Sequence, residues 1–141
     1  MHIDQLLSMN IPSDGETTSL DSPAASAVDK WEVQLRKGCL ELAVLGCLWS
    51  GRLYGLEILR RLETGSGLTL SAGTVYPLLA RLKSDGLLES EWVEADTSHP
   101  RKYYHLTALG KRRAVQMARM WSQFSATLKS LLSPVLKEGT K

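Results

Sequence analysis

Hydrophobic and polar positions separate most clearly between Ser71 and Gly86, where they fall on opposite sides of a helical wheel. The apolar side carries Leu78, Leu79 and Leu82. Ser71 is a suitable N-cap, and Gly86 can take the left-handed conformation that ends a helix. The other side carries short side chains, one aromatic residue and two cations: Ser71, Thr74, Tyr76, Ala80, Arg81 and Lys83. The pattern predicts a helix over residues 71–85 whose polar face suits a nucleic-acid groove; an ordinary solvated face is the alternative.

One residue of this helix departs from the pattern. Pro77 lacks a backbone N–H, and its ring presses against the carbonyl of Gly73 one turn earlier. We therefore expect a tight or kinked first turn, followed by regular helix beyond Pro77.

Two further helices are predicted upstream. Residues 35–49 are apolar on nearly every side, which predicts a central, largely buried helix ended by Ser50 and Gly51. Residues 53–62 carry a narrower apolar stripe, and a loop over residues 64–67 follows, with a short strand over residues 68–70. Two short helices separated by a loop, the second with a polar face, form a helix-turn-helix pattern.

The hydrophobic period changes from helical to alternating after Gly86. Residues 87–93 and 101–106 alternate, and the polar residues 94–100 separate them, so the pattern predicts a β-hairpin. A hairpin that directly follows a helix-turn-helix is a wing. Arg101 and Lys102, with Tyr103 beside them, lie near its tip, where cations reach the DNA backbone or minor groove. Tyr104 and Leu106 are predicted to face the core.

The last helix begins at Thr107, a predicted cap, and is expected to run for about 25 residues and to end before Pro134. Its first turns contain three cations, Lys111, Arg112 and Arg113. Cations interact unfavourably with the dipole at this end of a helix, which indicates solvent exposure or a nearby anion. Beyond them an apolar stripe runs along one side, at Val115, Ala118, Trp121, Phe124, Leu128, Leu131 and Val135. The rest of this short chain provides no surface to cover the stripe, and we therefore expect a two-fold dimer. The alternative is that the helix folds back onto its own chain.

Composition divides the chain into an acidic leader and a basic body. Residues 1–30 contain five acids and one lysine, a net charge of −4, so the rest of the 141-residue chain, whose total is +2, carries +6. The leader is rich in Ser, Thr, Pro and acidic residues, which predicts disorder. The alternative for the apolar cluster at residues 3–9 is that it packs against the rest of the chain or a partner. The basic body points to a polyanionic partner. No segment is typical of a signal peptide or membrane span, so we expect a cytoplasmic protein without a membrane partner.

Catalytic and metal-binding patterns are absent from the sequence. The histidines are scattered, and no nucleophile–base arrangement, metal-ligand spacing or phosphate-binding glycine motif is present. Cys39 and Cys47 lie in an apolar helical stretch and are expected to be reduced thiols, with a redox pair or metal site as the alternative. We therefore expect no enzyme activity, no cofactor and no bound metal.

Several motifs, in this order, resemble the PadR family of bacterial transcriptional regulators. They are Arg36-Lys37-Gly38, residues 53–58, residues 73–82, residues 85–88, residues 100–107 and Gly110. The resemblance covers about residues 34–130. It implies a winged helix-turn-helix homodimer that binds pseudo-palindromic promoter DNA, usually as a repressor released by a small molecule or stress. The single C-terminal helix resembles the short-tailed branch of the family, whereas the acidic leader departs from it.

The resemblance also implies an effector site at the dimer axis. Trp121 and its symmetry mate would enclose a flat aromatic or hydrophobic ligand, flanked by Met117 and Phe124. A packed dimer core without a cavity is the alternative.

The sequence therefore predicts a mainly α-helical protein with a small β-hairpin: a winged helix-turn-helix and a long C-terminal dimerisation helix. The expected parts are residues 1–30 (leader), 31–106 (DNA-binding domain), 107–136 (dimerisation helix) and 137–141 (tail). The predicted DNA contacts are Lys37, Ser71, Thr74, Tyr76, Arg81, Lys83, Arg101, Lys102 and Tyr103. The predicted dimer contacts are Val115, Ala118, Trp121, Phe124, Leu128 and Leu131. A packing role for Tyr76, and a winged helix that binds protein instead of DNA, are the alternatives.

Overall fold

The computed structural model describes residues 23–63, 71–94 and 99–139. Within these ranges the helices are α1 (Pro23–Cys47), α2 (Gly55–Glu63), α3 (Ala72–Ser84) and α4 (Ala108–Gly139). The strands are β1 (Leu53–Tyr54), β2 (Leu88–Val93) and β3 (Arg101–Leu106). The prediction of a mainly helical fold with a β-hairpin is confirmed. The predicted loop at residues 64–67, the strand at 68–70 and the cluster at residues 3–9 lie outside the described residues.

The chain divides into two units, residues 1–38 and residues 39–141. In the first, α1 begins at Pro23, so the prediction of disorder up to residue 30 is wrong for residues 23–30. Proline is favoured at the first helical position, and the alanines that follow are strong helix formers. Arg36 donates to Glu32 at 2.7 Å, one turn earlier. Trp31 and Leu35 are exposed on this part of α1.

One hydrophobic core holds the second unit together. It joins residues of all four helices and the sheet, together with Leu48 and Leu87 beside them: Leu40, Val44, Leu45, Leu48, Leu53, Ile58, Leu62, Val75, Leu78, Leu79, Leu82, Leu87, Leu88, Tyr104, Leu106 and Ala114. The prediction of a largely buried helix over residues 35–49 is confirmed for Leu40, Val44, Leu45 and Leu48 and is wrong for Leu35 and Trp49, which are about half exposed. The helix also ends earlier than predicted, at Cys47.

The sheet has three antiparallel strands in the order β1-β3-β2. The predicted hairpin is confirmed as β2 and β3, with Leu88 opposite Leu106. Leu53 and Tyr54, predicted as the start of a helix, instead add a strand to the free edge of β3, opposite Tyr104 and Tyr103. Tyrosine favours strands, and pairing satisfies the backbone of β3 on that side. Tyr104 and Leu106 are buried, as predicted.

Helix α3 begins after Ser71 and passes through Pro77 without interruption. Ser71 has the extended backbone of an N-cap, but its side chain makes no capping hydrogen bond, so that part of the prediction is wrong. Instead the N–H of Thr74 donates to the Ser71 carbonyl at 2.9 Å. The predicted left-handed Gly86 is confirmed at φ +82°, and the N–H groups of Gly86 and Leu87 donate to the last helical carbonyls, which forms a Schellman end.

Helix α4 is joined to the end of α3 through Thr107. The Thr107 hydroxyl donates to the Gly86 carbonyl at 2.7 Å and accepts from the Gly110 N–H at 2.9 Å, which confirms the predicted cap. The predicted end before Pro134 is wrong, because the helix continues through Pro134 to Gly139. Proline removes one backbone hydrogen bond, and the other turns of the helix are retained. In the described part of the chain, no helix has the length and apolarity that crossing a bilayer requires.

Candidate nucleic-acid interface

The polar face of α3 is presented to solvent because the opposite face is anchored in the core. The buried side chains are those of Val75, Leu78, Leu79 and Leu82. The predicted contact residues on this helix are all exposed: Ser71, Thr74, Tyr76, Arg81 and Lys83. The hydroxyl oxygens of Ser71 and Thr74 lie 3.4 Å apart at the start of the helix. This end of α3 therefore displays hydroxyl donors and acceptors of the kind that reach base edges and phosphates.

Tyr76 combines packing with exposure. It is 40% exposed, yet its ring lies against the backbone of Gly55 at the start of α2. Burial raises the pKa of the neighbouring Tyr104 phenol, and the electrostatic interaction with Tyr76 raises it further. Both earlier interpretations of Tyr76 therefore have a physical basis: its ring is held by packing, and part of it remains accessible. Its contact with DNA stays a prediction.

The two cations of α3 have different surroundings. The guanidinium of Arg81 lies 3.5 Å from a carboxylate oxygen of Glu41 on α1, and Arg113 of α4 lies 3.7 Å from the other oxygen. Glu41 therefore provides an anion for one of the three cations that open α4. It also holds Arg81 toward α1. Lys83 is exposed in the last turn of α3.

The outer face of the wing, the side of the β2–β3 hairpin away from the core, carries alternating aromatic and guanidinium groups. Arg101 lies over the ring of Tyr54 at 4.5 Å, and Arg52 lies over the ring of Tyr103 at 4.7 Å. The two tyrosine rings meet edge to face with their centroids 5.5 Å apart. Arg52 also donates to Glu91 at 2.7 Å. Cation–π packing thus fixes Arg101 and Tyr103, the predicted DNA contacts on this face.

Lys102, which was predicted as a contact together with Arg101, lies on the other face of the sheet. Successive residues of a strand point to opposite faces, so Lys102 shares its face with Tyr104 and with its strand partner Trp92. Its ammonium nitrogen is 5.8 Å from each of those two ring centroids. The structure therefore does not bring Arg101 and Lys102 together, and it adds Trp92, which the sequence argument placed only as an alternating strand residue.

Lys37 is exposed on α1, in the unit formed by residues 1–38. Its phosphate contact stays a prediction.

The residues predicted for dimerisation and ligand binding lie along α4. Trp121, Phe124, Leu128 and Leu131 are exposed, Val115 is half-buried, and Ala118 is exposed. Met117 packs against the core, so it is less accessible to a ligand than predicted.

A groove of about 240 Å³ runs between α1 and the first half of α4. It is lined by Leu42, Gly46, Trp49, Ala114, Val115 and Ala118. Trp49 was not among the predicted site residues, because its apolar neighbours indicated a buried helix. The groove gives this protein an apolar recess beside the predicted dimer contacts Val115 and Ala118.

Comparison with known proteins identifies relatives of this chain and of its fold. A family model described as "Transcriptional regulator PadR-like family" matches residues 44–116. A PadR-like transcriptional regulator from Bacillus cereus is 31% identical, over 70% of this chain and 96% of its own, with a TM-score of 0.66. A PadR family transcriptional regulator from Eggerthella lenta is 36% identical, over 76% and 93%, with a TM-score of 0.67. An uncharacterized protein from Lysinibacillus sphaericus is 25% identical over 89 residues, which are 62% of this chain and 82% of the relative.

Proposed function

Because the chain belongs to the PadR-like family of transcriptional regulators, we propose that it is a cytoplasmic repressor that binds a specific promoter operator as a homodimer and is released by a small-molecule effector. The observation that carries this proposal is the anchored helix α3, whose hydroxyl-bearing and aromatic residues face solvent. Members of this family act as transcriptional regulators and not as enzymes.

Base recognition is assigned to the first half of α3. Ser71, Thr74 and Tyr76 would enter the major groove, where hydroxyl groups meet base edges and phosphates. Backbone contacts are assigned to the cations Lys37, Arg81, Lys83, Arg101 and Lys102, with Tyr103 beside them. Of these residues, Arg81 also forms an ion pair with Glu41.

A homodimer is supported by the exposed apolar stripe of α4. Trp121, Phe124 and Leu131 are all more than half exposed in the single chain. A two-fold dimer formed through this helix would bury the stripe against the same stripe of the second copy. The dimer would then carry two α3 helices. Two such helices, spaced about one DNA turn (34 Å) apart, would read a pseudo-palindromic operator.

Effector binding is supported by the groove between α1 and α4. It offers an apolar recess of about 240 Å³ with the indole of Trp49 on its rim, close to the predicted dimer contacts. In a dimer, Trp121, Met117 and Phe124 would extend this lining, and a flat aromatic or hydrophobic ligand suits such walls. The ligand would release DNA by favouring a dimer geometry in which the two α3 helices no longer match the half-sites.

The experiment that tests the function measures binding of the purified full chain to the promoter fragment of its own gene at two salt concentrations. A scrambled duplex of the same length is the control. We expect tighter binding to the promoter fragment, a steep loss of affinity with salt, and weaker selectivity for the variant Thr74→Ala. Equal, weak binding to both duplexes contradicts operator recognition at this promoter, and a selection for bound genomic fragments then separates another operator from a protein partner.

A further inference from the structure

One large aromatic side chain of the wing lies outside the core. Trp92, near the end of β2, is 68% exposed. Leu88 and Ser90 share its side of the strand, and Leu88 is buried, so Trp92 lies on the core-facing side of the sheet but beyond the edge of the core.

Trp92 belongs to a small group of side chains on the same side of the sheet as α3. Lys102 lies between the rings of Trp92 and Tyr104, with its ammonium nitrogen 5.8 Å from each centroid. Helix α3 packs against β2, on the side of the sheet that faces the core. Trp92 and Lys102 therefore lie on the same side of the sheet as α3, near the end of the wing.

The chemistry of this surface fits the backbone of double-stranded DNA. An ammonium group binds a phosphate, and a flat, accessible indole offers apolar contact to a deoxyribose and one N–H donor to an oxygen. On the outer face the rings of Tyr54 and Tyr103 are partly buried, and Arg52 pairs with Glu91. Trp92 is more accessible than either of these rings, on the side of the sheet that packs against α3.

We propose that Trp92 is a DNA-contacting residue, whose indole packs against a deoxyribose bordering the minor groove while Lys102 binds the adjacent phosphate. This inference rests on the DNA binding proposed above and assigns one side of the wing to the duplex. Sugar and phosphate are the same at every base pair, so the contact strengthens binding without selecting a sequence.

Binding assays with the full chain test the inference through affinity. Fluorescence anisotropy is measured with labelled operator and scrambled duplexes for wild type, Trp92→Ala and Lys102→Ala. We expect Trp92→Ala to weaken binding to both duplexes by the same factor, about fivefold, which is the range of one aromatic contact. The slope of log affinity against log salt stays unchanged for Trp92→Ala and falls by about one for Lys102→Ala, because only the lysine neutralises a phosphate. Unfolding midpoints of the two variants should match that of wild type, which checks that the fold is intact.

Acrylamide quenching of tryptophan fluorescence provides a second, direct measurement. We expect the duplex to reduce quenching in wild type and in the control Trp31→Phe, which removes another exposed indole, but not in Trp92→Phe. If Trp92→Ala keeps wild-type affinity for both duplexes, or if the duplex protects Trp92→Phe as much as wild type, the inference is overturned while the proposed function stands. A wild-type protein that binds neither duplex contradicts the proposed function, and the inference fails with it.

Discussion

The ring of Tyr76 in α3 rests directly on the backbone of Gly55, at the start of α2. A Cβ atom at Gly55 would lie 2.6 Å from the ring carbon Cε1 and 3.3 Å from the phenol oxygen. Glycine is therefore required here for close approach, and the missing side chain determines where the Tyr76 hydroxyl lies. Because Tyr76 is still 40% exposed, the contact orients the ring without removing it from the surface.

Gly55→Ala should therefore weaken operator binding by displacing Tyr76. A Cβ contact under 3 Å forces the ring to move, and losing one well-placed contact corresponds to about a tenfold drop in affinity. The measurement is anisotropy with the operator duplex for wild type, Gly55→Ala, Tyr76→Ala and the double variant. If Gly55 acts through Tyr76, then Gly55→Ala has no further effect in the Tyr76→Ala background.

Gly38→Ala is the matched control for this prediction, because a Cβ at Gly38 meets no atom of the described residues within 4 Å. It lies within α1, so it should raise the free energy of unfolding by up to about 1 kcal/mol and leave DNA affinity unchanged. Additive losses from Gly55→Ala and Tyr76→Ala would show that Gly55 affects binding by some other route.

The contact between Tyr76 and Gly55 also shows how far the sequence could predict the site. Helical periodicity predicted α3 and which of its faces is buried, because both follow from the spacing of leucines within the segment. The contact with Gly55 joins residues far apart in the chain and depends on how α2 and α3 pack. The strand Leu53–Tyr54 was missed for a similar reason, since it forms only where β3 offers a free edge. The separation of Arg101 from Lys102 follows from strand alternation, a local rule that the sequence argument did not apply to these two cations.

Thr107 should contribute to stability through both of its hydrogen bonds. Thr107→Ala removes the cap on α4 and the bond to the Gly86 carbonyl, so we expect the free energy of unfolding to fall by about 1–2 kcal/mol. Urea titration measures the change. Thr107→Ser keeps the hydroxyl and should lose less than half as much, so equal losses in the two variants would show that the hydroxyl is not responsible.

Stability should decline at alkaline pH because Tyr104 is buried. Burial and the nearby Tyr76 raise the pKa of the Tyr104 phenol above its ordinary value of 10.0. The folded state therefore keeps a proton that the unfolded state has lost, so this contribution is complete below pH 10 and is lost as the pH rises from there through the folded pKa. Urea unfolding at pH 8, 10 and 11 should show a shallower decline for Tyr104→Phe than for wild type. Parallel declines in the two proteins would contradict this assignment.

Several apolar residues are exposed in the single chain at the positions where the sequence predicts a dimer. Trp49 was predicted to be buried because apolar residues surround it, whereas it is half exposed and lines the groove beside α4. Hydrophobic patterning predicts which residues are buried, but it does not say whether the surface that covers them belongs to the same chain. For α4, the sequence was compatible both with a dimer and with a helix that folds back onto its own chain. In the structure the predicted dimer residues beyond Ala118 remain exposed.

Leu131→Asp should dissociate the proposed dimer without unfolding the chain. Leu131 is 70% exposed, so within one chain a charge there costs little, whereas burying a carboxylate in an apolar two-fold interface carries a large desolvation penalty in each copy. Sedimentation velocity should show a dimer for wild type and a monomer for Leu131→Asp, with the helical circular dichroism signal retained. Ala126→Asp, an exposed position on the opposite side of α4, is the control and should remain dimeric. The monomeric variant should lose operator affinity more than nonspecific affinity, because only a dimer reads two half-sites together. A Leu131→Asp protein that remains dimeric would place the interface elsewhere.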